Sequence, residues 1–176
     1  MLSIGARGRA SGPDPLQRKT APLEDPAALT VADVMTTHVS AAWQDSTVKE
    51  LAVIMAGEAI GSIPVVDPDN RLLGLVTYRD IVIRACAGDR GIDDLRACDA
   101  MTPQPTGIGP SATISHALAE MGRLHVHRLP VVDGGAHLIG MVSLGDIATR
   151  GGNGTGPELL DTIARIADRK SFWNRV

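Results

Sequence analysis

Two stretches of the chain carry apolar residues at helical spacing, residues 47–57 and 113–124. The apolar positions on one side of these stretches are Val48, Leu51, Ala52 and Met55 in the first and Ile114, Ala117, Leu118 and Met121 in the second. Thr47 and Thr113 stand where an N-cap belongs, and Glu50 completes a capping box with Thr47. The pattern predicts two amphipathic helices with defined N-termini.

Runs of consecutive apolar residues follow each of these helices, as expected for strands that are covered on both faces. The predicted strands are residues 63–66 and 72–77 in the first half of the chain and 129–132 and 138–143 in the second. Turn residues separate them: Asp67-Pro68-Asp69-Asn70 and Asp133-Gly134-Gly135. A further helix follows each hairpin, from about Tyr78 to Ala87 and from about Leu144 onward.

Shorter signals precede each amphipathic helix. They predict single helical turns at 30–35 and 97–101 and short extended segments at 39–42 and 105–108. The whole order recurs at an offset of 66 residues, so that IGSIPVVDPDNRLLGLVTYRDI at 60–81 corresponds to VHRLPVVDGGAHLIGMVSLGDI at 126–147. One structural unit used twice is expected to pack on itself with pseudo-twofold symmetry and to leave a cleft. The predicted fold class is α/β, with two in-register strand–helix–strand–strand–helix repeats.

The expected organisation has four parts: a flexible leader at 1–29, repeats at 30–90 and 97–150, and a C-terminal helix at 156–176. Pro157 suits the first turn of that helix. Its apolar residues are predicted to share one face and are Leu159, Leu160, Ile163 and Ile166.

The repeated pattern resembles a tandem pair of CBS domains, a family named for cystathionine β-synthase. It consists of a Met-Thr opening, a Pro-Val-Val-Asp strand and a Gly-x-Val-[Thr/Ser]-x-x-Asp-Ile segment, in both copies across residues 30–150. The resemblance implies a compact module with two clefts that bind adenosine-containing ligands such as AMP, ADP, ATP or S-adenosylmethionine. It implies a stand-alone regulatory protein that is not an enzyme and that requires no cofactor.

The strand-to-helix segments Thr77–Asp80 and Ser143–Asp146 have two interpretations. As caps, Thr77 and Ser143 occupy the N-cap and the carboxylates lie in the first helical turn. As a ligand site, the resemblance implies that Asp80 and Asp146 bind the ribose, with Thr77 and Ser143 near the phosphate. A helix N-terminus suits a phosphate because its free N–H groups and dipole favour an anion.

Basic residues distinguish the second repeat. His127 and Arg128 precede its first long strand, where the first repeat has Gly61 and Ser62. This segment is similar to a repeat in the γ subunits of AMP-activated protein kinase, where the matching residues contact nucleotide phosphates. Arg128 can bind phosphate in a bidentate manner, although a solvated helix end explains the same residues. Arg79 is a further candidate phosphate ligand in the first repeat.

The adenine is expected in an aliphatic slot, because the chain has only four aromatic residues among 176. We expect this slot to be built from the short extended segments and the Pro-Val-Val strands, and its predicted members are Val39, Ala41, Ile108, Val65, Pro130 and Val131.

Composition narrows the function classes. The net charge of −3 and pI of about 5.9 give no field that favours nucleic acid. No apolar run approaches the ~20 residues that span a bilayer. Cys86 and Cys98 form no disulfide framework, so we expect reduced thiols and a cytoplasmic protein. We therefore expect no membrane partner. We also expect no metal, because the Cys and His residues lack the close spacing of metal ligands.

The principal alternative is an assembly protein whose clefts are empty and whose function lies in its surfaces. A metal-linked stress protein is a minor alternative. For the regulatory module itself we expect an adenosine-containing ligand, a homodimer and an unknown regulated protein as partners. The resemblance implies pairing through helices 47–57 and 113–124, where small residues are found at Ala56, Ala59 and Ala119.

Overall fold

The computed structural model describes residues 29–87, 91–152 and 154–168; the expected leader lies outside them except for Leu29. The first repeat contains α1 (Val31–Val34), β1 (Ala42–Trp43), α2 (Val48–Glu58), β2 (Ser62–Val66), β3 (Leu72–Thr77) and α3 (Tyr78–Ala87). After a 3-10 turn at Ile92–Asp94, the second contains α4 (Ala97–Ala100), β4 (Thr102–Pro103), α5 (Ile114–Leu124), β5 (Arg128–Val132), β6 (Leu138–Ser143) and α6 (Leu144–Arg150). Helix α7 (Gly156–Ala167) follows.

Two antiparallel hairpins form the centre of the molecule. Strands β1, β2, β3 and β4 form one sheet in that order, and β5 pairs with β6 in the other. The same irregularity interrupts both hairpins, between Val65 and Val66 and between Val131 and Val132. A bridge from Arg71 to His137 links the two hairpin turns. The predicted α/β class and the paired hairpins are confirmed.

The opening segment of each repeat crosses to the other repeat. Val31 and Val34 of α1 are fully buried in the core built around α5, β5 and β6. In return, Ala97 and Ala100 of α4 are fully buried in the core built around α2, β2 and β3. Neither sequence repeat therefore forms a complete core by itself. The expected boundaries at 30–90 and 97–150 describe the repeats of the sequence and do not describe the two cores.

Backbone pairing and two arginines fix the crossing. Thr36 exchanges hydrogen bonds of 2.9 Å with Met141 of β6, and β4 pairs with β3 in the equivalent place. Arg150 donates from Nη1 to the carbonyl of Val34 at 2.7 Å. Arg84, at the matching position of the first repeat, donates to the carbonyl of Asp99 at 3.0 Å. Each arginine thus holds the C-terminal end of the helical turn that crosses over it.

Two repeated glycines make room for the crossing. A Cβ on Gly140 would lie 2.8 Å from the carbonyl oxygen of Thr36 and 3.1 Å from the sulfur of Met35. A Cβ on Gly74 would lie 2.3 Å from the sulfur of Met101. The repeated Met and Gly of the sequence motif are therefore partners in space, each methionine lying over the glycine of the opposite repeat.

Helices α2 and α5 begin directly after Thr47 and Thr113, the N-cap residues that the sequence predicts. The Thr47 hydroxyl accepts the amide of Glu50, whose carboxylate accepts the amide of Thr47 in return. The bond from the Thr47 amide, followed by the bond between the Thr47 hydroxyl and the same carboxylate, lowers the pKa of Glu50 below its ordinary value. The stabilisation by this cap is thus lost only as the pH falls through that lowered pKa. Thr113 caps α5 through the amide of His116.

Two expectations about the short elements and the last helix are wrong. The first extended segment pairs at Ala42–Trp43 instead of 39–42, because Thr36 still pairs with Met141 of the opposite repeat and the chain joins β2 only at Ala42. In α7, Leu160 and Ile163 do not share the face of Leu159 and Ile166; they are 69% and 42% exposed. The reason is geometric, since positions 159, 162 and 166 face α5 at helical spacing. No described helix has the length and apolarity needed to cross a bilayer.

The crossing predicts a specific sensitivity at Gly140. Gly140→Ala should lower the free energy of unfolding by about 1–3 kcal/mol, because the added methyl overlaps the backbone of Thr36. Chemical denaturation measures this change. Gly134→Ala is the matched control, since nothing lies within 4 Å of a Cβ there; its effect should stay within about 0.5 kcal/mol. Equal effects at both sites would show that the close approach at Gly140 carries no energetic weight.

Candidate ligand clefts

Each β-hairpin leads directly into a helix through a capped turn. In the first repeat, the amide of Thr77 donates to Asp80 Oδ2 at 2.9 Å, and the Thr77 hydroxyl accepts the amide of Asp80. In the second, Ser143 and Asp146 make the same bonds. The interpretation of these residues as helix caps is confirmed. A cap of this kind occupies one carboxylate oxygen and leaves the other directed elsewhere.

The crossing segments border these turns. We call the region at the Thr77–Asp80 turn, next to the pairing of β3 with β4, the first cleft, and the region between Ser143–Asp146 and the segment that begins at Thr36 the second cleft. In the second cleft, Thr36 Oγ1 lies 3.3 Å from Asp146 Oδ1. Arg150 Nη1 lies 3.4 Å from the same oxygen. In the second cleft, the carboxylate therefore belongs to one repeat and the hydroxyl that faces it to the other.

Arg128 reaches from one repeat into the other. It pairs with Ser143 in the β5–β6 register, so its backbone adjoins the second cleft. Its guanidinium, however, lies 3.3 Å from the hydroxyl of Ser62. Ser62 in turn pairs with Thr77, which begins the turn at the first cleft. The sequence leaves open which cleft receives the phosphate, and the structure places the charged end of Arg128 beside Ser62 of the first repeat.

Positions 62 and 128 are equivalent in the two repeats, so the arrangement is asymmetric. Where the second repeat has a guanidinium that reaches across, the first has a serine that is 6% exposed. Gly61 leaves room beside it: a Cβ there would lie 3.2 Å from the ring of Tyr78 and 3.7 Å from Arg128 Nη2. The charge near the centre of the module is thus placed on the side of the first repeat.

The remaining basic candidates lie at the cleft borders. Arg79 is exposed in the first turn of α3, next to Asp80. His127 is exposed just before β5, and its carbonyl accepts the amide of Leu144 at 3.0 Å. The guanidinium of Arg128, the next residue, extends toward Ser62.

The predicted adenine slot is only partly open. Val65, Val131 and Ile108 are at most 5% exposed and belong to the hydrophobic cores, and Pro130 is buried as well. Ile108 pairs in parallel with Val131, and the assignment of these four residues to the slot stays a prediction. Val39 is half-buried and Ala41 exposed, both following Thr36 along the second cleft. These two remain candidates for contact with a base.

The sequence alone missed two residues at the clefts, Thr36 and Ser62. Thr36 belongs to the repeated Met-Thr pair, so its recurrence was visible, but not that it approaches Asp146 of the other copy. Ser62 gave no signal except its alignment with Arg128. Residues 29–87, 91–152 and 154–168 contain no group of three potential metal ligands.

Comparison with known proteins identifies the repeat. A profile of the CBS domain matches residues 31–85 and 95–151. The CBS domain-containing protein YhcV of Bacillus subtilis (strain 168) is 34% identical over 118 residues, which are 67% of this chain and 82% of YhcV.

Two solved structures share the fold. The CBS domain pair of MJ0100, in complex with 5′-methylthioadenosine and S-adenosyl-L-methionine, covers 69% of this chain and 98% of its own, with a TM-score of 0.62 and 23% identity. CBSX2 in complex with AMP covers 68% and 93%, with a TM-score of 0.60 and 23% identity. At these identities the likeness establishes the arrangement of the backbone.

The two capped turns make a prediction that needs no ligand. Asp80→Ala and Asp146→Ala should each lower the free energy of unfolding by about 1 kcal/mol, because each removes the carboxylate of a capping box. Denaturation of the two variants beside the wild type measures it. A much larger loss at Asp146 alone would show that its contacts with Thr36 and Arg150 stabilise the crossing.

Proposed function

The chain belongs to the CBS domain family, and we propose that it is a regulatory module that binds an adenosine-containing ligand in its clefts. Proteins with this domain are typically regulatory and non-catalytic. The proposed ligands are AMP, ADP, ATP or S-adenosylmethionine. Support comes from MJ0100 and CBSX2, which have the same fold and were solved with ligands of this class. We propose a cytoplasmic location as well, because these compounds are formed and used there.

One observation carries the proposal: Asp146 of the second repeat lies 3.3 Å from Thr36 of the first. A carboxylate at a helix N-terminus can accept both hydroxyls of a ribose, and the adjacent amides favour a phosphate. Asp80 has the equivalent position in the first cleft. A ligand bound at either carboxylate would also touch the wall that the other repeat contributes.

This geometry links binding to a change of state. A ligand can shift the equilibrium between two arrangements only by binding one of them more tightly. A ligand between Asp146 and the segment 36–41 contacts both repeats at once, so its affinity depends on how the repeats are placed. We propose that this dependence, transmitted to a partner protein or to a second copy of the chain, is the regulatory output.

The phosphate is proposed to lie nearer the first cleft. Arg128 brings its guanidinium to Ser62, the strand partner of Thr77, and Arg79 stands beside Asp80. An arginine remains charged at physiological pH and can bind two phosphate oxygens. The second cleft has Arg150, but that guanidinium is bonded to the carbonyl of Val34. The two clefts would therefore differ in their preference for a phosphorylated ligand.

Titration calorimetry with AMP, ATP and S-adenosylmethionine tests the ribose role. Asp80→Ala and Asp146→Ala should each weaken binding at their own cleft by about 2–3 kcal/mol, the scale of hydrogen bonds to a charged group. Each variant loses the same helix cap, so each controls for the other. Retained binding with unchanged affinity in both would contradict the ribose assignment. If the wild type binds none of the three ligands, the assembly alternative is favoured.

Arg128 predicts discrimination between AMP and adenosine. Arg128→Met should weaken AMP binding by about 1.5–3 kcal/mol and leave adenosine binding unchanged, because only AMP carries the phosphate. Arg128→Lys should retain part of the AMP affinity. Arg123→Met is the matched control, since Arg123 is exposed on α5 and pairs with Glu120. Equal losses for AMP and adenosine would mean that Arg128 supports the fold and does not bind phosphate.

A further inference from the structure

Arg150 lies where the two repeats meet at the second cleft. Its Nη1 donates to the carbonyl of Val34 at 2.7 Å and lies 3.3 Å from the carbonyl oxygen of Met35. The same nitrogen lies 3.4 Å from Asp146 Oδ1. Val34 and Met35 belong to the first repeat and Asp146 to the second. One guanidinium nitrogen therefore contacts both the carboxylate of the cleft and the backbone that leads into the facing segment.

The two oxygens of Asp146 have different partners. Oδ2 accepts the amide and the hydroxyl of Ser143 and so belongs to the helix cap. Oδ1 lies 3.3 Å from Thr36 Oγ1 and 3.4 Å from Arg150 Nη1. Both distances are long for bonds to a carboxylate, so Oδ1 keeps acceptor capacity for a ribose hydroxyl. Arg150 thus stands beside the oxygen that the proposed ligand would use.

The pair of Asp146 and Arg150 has a favourable position on α6. The two residues are one helical turn apart, with the acid nearer the N-terminus, which is the better order for such a pair. Arg150 is also in the last turn of α6, where a cation is stabilised by the helix dipole. Its side chain is 50% exposed, so the ion pair alone contributes little to stability. Its main effect is therefore expected on the geometry of the cleft.

The first cleft provides a comparison within the same chain. Arg84 has the equivalent position on α3 and donates to the carbonyl of Asp99 at 3.0 Å. It therefore holds α4 as Arg150 holds α1. Among the described residues, however, the ion pairs include that of Arg150 with Asp146 and none of Arg84 with Asp80. The two arginines share one structural role, and only Arg150 combines it with contact to the carboxylate.

We propose that Arg150 is a positioning residue of the second cleft and that it connects ligand binding there to the helical turn α1. This inference rests on the proposed ribose role of Asp146. A ligand that binds Oδ1 restrains the carboxylate, which restrains Arg150 and, through it, the carbonyl of Val34. Val34 is fully buried in the core of the second repeat. Binding and the placement of α1 are thereby coupled. A ligand in the first cleft has no such connection, because Arg84 holds α4 without pairing with Asp80.

Titration calorimetry with adenosine tests the positioning role, because adenosine has the ribose but no phosphate for Arg128. In an Asp80→Ala chain, which isolates the second cleft, adding Arg150→Met should weaken binding about tenfold, the scale of a bond to a charged group. Arg150→Lys should recover part of the affinity, since an ammonium group can still pair with the carboxylate. Arg84→Met in an Asp146→Ala chain is the matched control and should leave the affinity of the first cleft unchanged.

Hydrogen exchange of single amides tests the connection to α1. The amide of Met35 is bonded to the carbonyl of Val31, and the equivalent amide of Met101 on α4 is bonded to that of Ala97. Saturating adenosine should slow the exchange of the Met35 amide more than that of the Met101 amide. Arg150→Met should abolish this difference at equal saturation, because the bound ligand then no longer restrains the turn.

The outcomes separate this inference from the proposed function. Equal losses of affinity from Arg150→Met and Arg84→Met, or no loss from either, overturn the positioning role and leave the ribose assignment of Asp146 intact. Equal slowing of the Met35 and Met101 amides in the wild type overturns the connection to α1. A wild type that binds neither adenosine nor AMP contradicts the proposed function and this inference with it. Similar thermal midpoints of the two methionine variants verify that both fold.

Discussion

The exchange of opening helical turns between the two repeats is the constraint on which the rest of the structure depends. Val31 and Val34 complete one core and Ala97 and Ala100 the other, so each half of the molecule lacks part of its interior without its neighbour. The exchange also builds the clefts, because the segment that follows each turn runs along the opposite sheet toward the capped strand-to-helix turn. Packing and ligand site are consequences of one backbone path.

A single side chain breaks the symmetry that the path creates. The backbone has the same path at both clefts, and the same register irregularity occurs in both hairpins. Arg128 and Ser62 nevertheless occupy equivalent positions, and one guanidinium at the centre of the module can extend in only one direction. A duplicated fold thereby acquires two unequal candidate clefts without any change in architecture. We regard this inequality as the feature that would let one small module respond differently to phosphorylated and unphosphorylated ligands.

Most secondary structure could be predicted from the sequence, because helical and extended periods are local properties. Strands β3 and β6 and the starts of α2 and α5 follow from apolar runs and threonine caps within a few residues. The crossing could not be predicted from the repeat, since two copies with the same pattern do not say which copy receives which segment. The same ambiguity hid the direction of Arg128. The sequence prediction put four apolar residues of α7 on one face, namely Leu159, Leu160, Ile163 and Ile166. It was wrong because their spacing also permits a division between two sides of the helix.

The exchanged helical turns also bear on the order in which the molecule can form. Val31 and Val34 emerge during synthesis long before Leu129 and Val142, the strand residues of the core that they complete. When only the first repeat has been synthesised, its core lacks Ala97. At that stage the strands and helix against which Val31 and Val34 pack do not yet exist. Contacts between residues so distant in sequence are slow to form. The two repeats should consequently fold together in one cooperative step, after both have been synthesised. They should do so although they are separate segments of the sequence.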